Sequence, residues 1–153
     1  PETQLKLALY SSILHLCLGE PSKARKSMKK ILGSDKSFHT LPSYKTARLV
    51  NLLIQAELGN YDFFANEISS IKRTISYEKQ MYITEKLLFR FLMAHPLPIY
   101  RKDREKLWAQ YQKDITRIRQ DKYEKQLLKT FDFTAWIESK LTNIPFREIL
   151  YSE

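Results

Sequence analysis

The sequence predicts an all-α chain of stacked antiparallel helical hairpins, an α-solenoid of tetratricopeptide-like design closed by a C-terminal capping helix, and three observations carry this. Apolar residues recur at intervals of three and four almost from end to end. Turn signals come at a near-constant interval, with Gly19 and Gly59 about 40 residues apart and His95-Pro96-Leu97-Pro98 about 36 further on, within the period of helical repeats. Only three glycines stand among 153 residues, so few places offer a turn.

The first helix carries Leu5, Ala8, Leu9, Ser12, Ile13, Leu16 and Cys17 at helical spacing, with Leu7, Leu14 and Leu18 thickening the stripe until the segment is apolar nearly all round. Such a helix is expected in the middle of a structure. Gly19-Glu20-Pro21 ends it, and Pro21 suits the first turn of the next helix, where its missing N–H has no partner to lose. The second helix, Ser22 to Leu32, buries Ala24, Met28, Ile31 and Leu32, and Gly33 is expected in the left-handed position that closes it. A loop with Ser34, Asp35, Ser37 and Pro42 leads to a third helix, Tyr44 to Leu58, seamed by Ala47, Val50, Leu53, Ile54 and Leu58.

Gly59-Asn60-Tyr61 repeats the turn. Asn60 is expected to cap a fourth helix whose Phe64, Ile68, Ile71 and Ile75 share one face. The third hairpin joins Met81, Leu87, Leu88, Phe91 and Leu92 to a charged helix with Leu107, Trp108, Tyr111, Ile115 and Ile118. Lys122 and Lys125 then fall where the seam would continue, which predicts a break near Gln120 before Tyr123, Leu127 and Leu128. Phe133, Trp136, Ile137 and Leu141 form the apolar face of a helix capped by Asp132, and Pro145 opens a last short helix to Leu150. Residues 1–130 therefore read as about three hairpins, and 131–153 as a cap on the same domain.

Gly19-Glu20-Pro21-Ser22-Lys23-Ala24 resembles the tetratricopeptide-repeat turn, Gly-Asp-Tyr-x-x-Ala, with Gly19 and Ala24 in the small-residue positions. Gly59-Asn60-Tyr61-Asp62-Phe63-Phe64 keeps the glycine and tyrosine but has Phe64 in the alanine position, and the third copy lacks the glycine. The chain thus resembles a degenerate tetratricopeptide-repeat-like protein over roughly residues 3–118. The run from Phe131 to Leu141 is similar to the C-terminal ends of certain uncharacterised bacterial helical-repeat proteins. The resemblance implies partner binding on an inner wall lined by the first helix of each pair.

Composition narrows the function classes. Hydrophobic residues make up 43% of the chain and aromatics 12%, enough for a core, so disorder is excluded. One cysteine cannot build an internal disulfide framework, and a reducing compartment, the cytoplasm, is expected. No apolar run approaches the ~20 residues that cross a bilayer. Pro1 stands where an initiator Met would, which suggests an excised piece. There is no glycine-rich phosphate cradle, nucleophile elbow, His-Glu-x-x-His or Cys-x-x-Cys, so no enzyme, cofactor or metal is expected. His15 and Cys17, two apart on a helix, point about 200° from each other and cannot hold zinc by themselves. Asp103 and Glu105 sit among cations, as surface pairing explains.

Charge and oiliness carry the functional expectation. The net charge is +9, concentrated in two zones. Lys23, Arg25, Lys26, Lys29 and Lys30 crowd the second helix, and a second zone from Arg101 to Lys129 is interleaved with acids. Clustered cations fit an anionic partner, nucleic acid or an acidic protein, although a solvated helix face explains them too. The inner-wall positions are Lys6, Leu9, Ile13, Leu16 and Cys17, then Thr46, Leu49, Leu53, Ala56 and Glu57. Leu9, Ile13, Leu16, Leu49 and Leu53 are the expected partner-binding residues. Either a docked segment covers them or tight curvature buries them within the chain. The function expected is a protein-interaction scaffold for a peptide or protein, with a basic nucleic-acid-binding module through Lys23, Arg25, Lys26, Lys29 and Lys30 as the alternative.

Overall fold

The computed structural model describes residues 2–33, 36–78 and 81–152, the side chains of residues 76–78 excepted. Pro1, Ser34 and Asp35 lie outside the described residues. The chain is all-α: nine α-helices and two single 3-10 turns, with no strand, are found among the described residues. None of those helices is long and apolar enough to cross a membrane. The chain divides into two compact units, residues 1–71 and 72–153. Residues 131–153 fall within the second unit.

In the first unit α1 (Glu2–Cys17) packs on α2 (Pro21–Leu32) and on α3 (Pro42–Glu57), and α2 packs on α3. Leu5, Leu9 and Leu16 of α1 meet a core that includes Ala24, Met28 and Ile31 of α2. The helix in the middle is α3, whose Ala47, Leu49, Val50, Leu52, Leu53, Ile54 and Ala56 are all buried. This corrects the expectation that α1 is central: α1 keeps an exposed face, whereas on α3 the polar residues between the buried ones, Arg48, Asn51 and Gln55, are half-buried.

Gly19 and Gly59 take positive φ values, +74° and +77°, which glycine adopts without a side-chain penalty. At each, the next residue donates back across the helix end, Glu20 N–H to the His15 carbonyl at 2.8 Å and Asn60 N–H to the Gln55 carbonyl at 2.9 Å. The same reversal therefore closes α1 and α3. Gly33, at φ −75°, is not left-handed. Asn60 does not cap either: its amide donates to Gln55 Oε1 at 2.7 Å, and a 3-10 turn, Tyr61–Phe63, precedes α4 (Phe64–Glu78). The Arg48 guanidinium ties α3 to the start of α4, reaching Glu67 Oε1 from Nε at 2.8 Å and Ser70 Oγ at 2.9 Å.

The second unit contains α5 (Ile83–Met93), α6 (Arg101–Gln120), α7 (Lys122–Leu128), α8 (Phe133–Thr142) and α9 (Phe146–Tyr151). Helix α5 packs on α6 and α8, α6 on α7 and α8, and α8 on α9. The break expected near Gln120 is present: Asp121 is extended, and its carboxylate accepts from the Tyr123 N–H at 2.8 Å to start α7. Asp132 caps α8 as expected, accepting from the Ala135 N–H at 3.0 Å. Trp136 of α8 and Tyr111 of α6 both meet the Phe91 ring edge-on, at 5.7 and 5.6 Å. Helix α8 is thus packed by α5, α6 and α9 within its unit.

One polar contact fastens α7 to the start of α5. Buried Glu124 accepts from the Thr84 N–H at 2.7 Å and the Thr84 hydroxyl at 2.9 Å, so a carboxylate from 40 residues away satisfies a first-turn donor. Tyr82 and Tyr123 stack beside it, centroids 4.4 Å apart. Removing the acceptor with Glu124→Ala strands two buried donors, and urea unfolding should show a loss of about 1–3 kcal/mol. Glu124→Gln keeps an acceptor oxygen and should lose clearly less; equal stability of Glu124→Ala and the unaltered chain would remove this contact from the account.

Candidate partner-binding face

The 16-residue helix α1 has two apolar faces. At about 100° per residue, Leu5, Leu9, Ser12 and Leu16 fall within one narrow sector, and these are its buried residues. Leu7, Leu14 and Leu18 fall roughly opposite, with Tyr10 beside them. They are 65%, 58%, 55% and 55% exposed, in the order Leu7, Leu14, Leu18, Tyr10. The buried face even contains a hydroxyl, Ser12, which donates to the Ala8 and Ala24 carbonyls at 2.8 and 3.2 Å, while the outer face presents unsheltered leucine.

The residues singled out in the sequence fare differently. Leu9, Leu16, Leu49 and Leu53 are buried by the chain itself, and Ile13 is half-buried. They lie on packed faces of α1 and α3, so an inner wall made of them offers a partner no free surface. Of the two expectations, burial within the chain describes these four leucines. The exposed apolar residues belong instead to the stripe of Leu7, Leu14 and Leu18 that thickened the pattern. They lie half a turn from Leu5 and Leu9, so spacing separates the two faces without saying which of them turns inward.

Helix α2 presents its cations together. Lys23, Arg25, Lys26, Lys29 and Lys30 are all exposed, and no acid lies within Pro21–Leu32. The second basic zone is different, for some of its members are paired: Arg101 meets Glu105 at 3.0 Å and Arg119 lies 3.7 Å from Glu138. Between α1 and α2 runs a groove of about 400 Å³, with Leu7, Ala8, Ile31 and Phe38 among its walls and Lys30 at its edge. Ser11 and Ser27 touch across it, Oγ to Oγ at 3.1 Å.

At the turn joining the two helices, Glu20 accepts from Lys23 Nζ at 2.6 Å and lies 3.4 Å from His15 Nδ1. The Lys23 hydrogen bond, then that of His15, holds the Glu20 carboxyl below its ordinary range. Burial pushes the Cys17 thiol up, away from the reactive thiolate. No group of three His, Cys, Asp or Glu that could hold a metal occurs among the described residues. No family model, curated protein or solved structure matches the chain.

Two outcomes follow from this placement. Leu9→Ala or Leu53→Ala should lower unfolding stability by about 2–5 kcal/mol, as buried leucine truncations do, whereas Leu14→Ala should change it little. Because the folded pKa of Glu20 is depressed, the stability it contributes is complete above the unfolded carboxylate value and is lost as pH falls through the folded one. A side-chain NMR titration should place the Glu20 midpoint below that of an unfolded reference, and Lys23→Ala should raise it.

Proposed function

We propose that the chain is a protein-interaction module, a degenerate tetratricopeptide-like helical array that holds a peptide or protein partner on the outward face of α1. The observation that carries this reading is the row of exposed apolar side chains, Leu7, Tyr10, Leu14 and Leu18, on and just past a helix whose other side is already packed. Fully covering a leucine is favourable by ~1.5–3 kcal/mol, so a contiguous stripe of this kind marks a surface that meets another molecule. The array reading is supported by the order of packing. First on second, second on third and first on third holds for α1, α2 and α3, and holds again for α5, α6 and α8. The paired glycine reversals at Gly19 and Gly59 add to it.

A second reading, a basic nucleic-acid-binding module, is favoured by the five exposed cations of α2. It leaves the leucine stripe without a role, which is why protein binding is preferred. Affinity capture with the chain, followed by hydrogen-exchange mapping, separates the two. Protein binding predicts protection along α1, and Leu14→Glu or Leu18→Glu should each weaken the captured complex about tenfold or more at unchanged unfolding midpoint. A complex indifferent to both substitutions, or a nucleic-acid complex whose affinity falls steeply with salt and disappears with Lys26→Glu, would sink the proposal.

A further inference from the structure

The groove beside the leucine stripe specifies what it takes. Its walls are apolar at Leu7, Ala8, Ile31 and Phe38, and the α2 edge above them is cationic. Lys23, Lys26 and Lys30 recur at three and four, so they line one edge of α2, and Lys30 reaches the groove itself. Lys23 already holds Glu20. Lys26 and Lys30 have no acidic partner among the described residues, and α2 contributes no carboxylate to answer them. On α1 the Glu2 carboxylate stands by Lys6 at 3.6 Å, leaving the groove floor free of negative charge.

Resting on the protein-binding reading, we infer that the occupant is an acidic amphipathic helix, its apolar stripe on Leu7, Leu14 and the groove and its carboxylates along the Lys26 and Lys30 edge. Charge complementarity selects it. A second copy of this chain would bring its own cationic α2 to the same place, and a nucleic acid would meet the lysines while leaving Ile31, Phe38 and the leucines wet. Dimensions agree: at 1.5 Å per residue the stripe from Leu7 to Leu18 is about 16 Å long, the reach of a helix of three turns. Helix-in-groove docking read through spaced apolar anchors is the corresponding recognition mode.

The test uses two fluorescent helical peptides that share leucines at i, i+4, i+7 and i+11, one with glutamates flanking the stripe and one with lysines there. The acidic peptide should bind, shift amide NMR signals of Leu7, Ser11, Lys30 and Phe38, and bind at least tenfold more tightly than the lysine peptide. In the Lys26→Glu, Lys30→Glu double variant that preference should reverse, and Leu7→Glu should abolish both complexes. Equal binding of the two peptides at this groove overturns the acidic occupant and leaves the α1 docking face standing. Binding untouched by Leu7→Glu and Leu14→Glu overturns the docking face as well. Failure of the acidic peptide to bind, self-association through Leu14 that excludes it, or its displacement from Lys26 and Lys30 by an RNA oligonucleotide each overturns the inference.

Discussion

Much of the molecule turns on a helix that is oily on two sides while its own unit covers one. Helix α1 offers Leu5, Leu9 and Leu16 to α2 and α3, and the first unit closes on them completely. Leu7, Leu14 and Leu18 stay more than half exposed. A core residue touches many neighbours, and α2 and α3 supply α1 with neighbours on one side only. Contrast α3, seven of whose side chains are buried and whose polar Arg48, Asn51 and Gln55 are half-buried. Placement among neighbouring helices bears on which apolar face is buried and which stays exposed.

The second unit is held in another way. Its aromatic centre joins Phe91, Tyr111 and Trp136 from three helices in edge-on geometry, the arrangement that the charge distribution of the rings favours. Around that centre polar contacts fix the helix ends: Asp121 for α7, Asp132 for α8, and Glu124 reaching across to α5. Dispersion between rings is tolerant of small slides, whereas a buried carboxylate on a backbone N–H is not. Glu124 therefore fixes where α5 begins relative to α7, and the stacked Tyr82 and Tyr123 rings shield the contact.

Local signals in the sequence were readable because their cause is local. A 3.6-residue period reveals a helix, Asp132 reveals its start, and misplaced lysines at Lys122 and Lys125 reveal where a seam fails. The glycines of the two reversals were visible for the same reason, while Gly33 was misread because a glycine after a helix permits the left-handed turn without requiring it. Asn60 was misread because its amide found Gln55, a competitor one turn back. What spacing could not give is partnership at long range. Glu124 looks like one acid among many cations until Thr84 is placed against it. Likewise, a helix apolar all round has no phase, so its sequence cannot say whether Leu9 or Leu7 faces inward.

The separation of roles on the candidate face follows from the range of each force. Apolar contact acts only when surfaces touch, so in the proposed complex Leu7, Leu14 and Leu18 would govern how long it lasts. The cations of α2 act out to about a Debye length, roughly 8 Å at physiological salt, and so bear chiefly on encounter and orientation. A three-turn helix covers less than the ~1,600 Å² of a standard stable interface, which places such a complex among weak and reversible ones unless the partner extends beyond the groove. For a surface of that kind the α2 lysines matter out of proportion to their energy. They set which amphipathic helices arrive with the right face down, and a stripe of leucine alone would accept any of them.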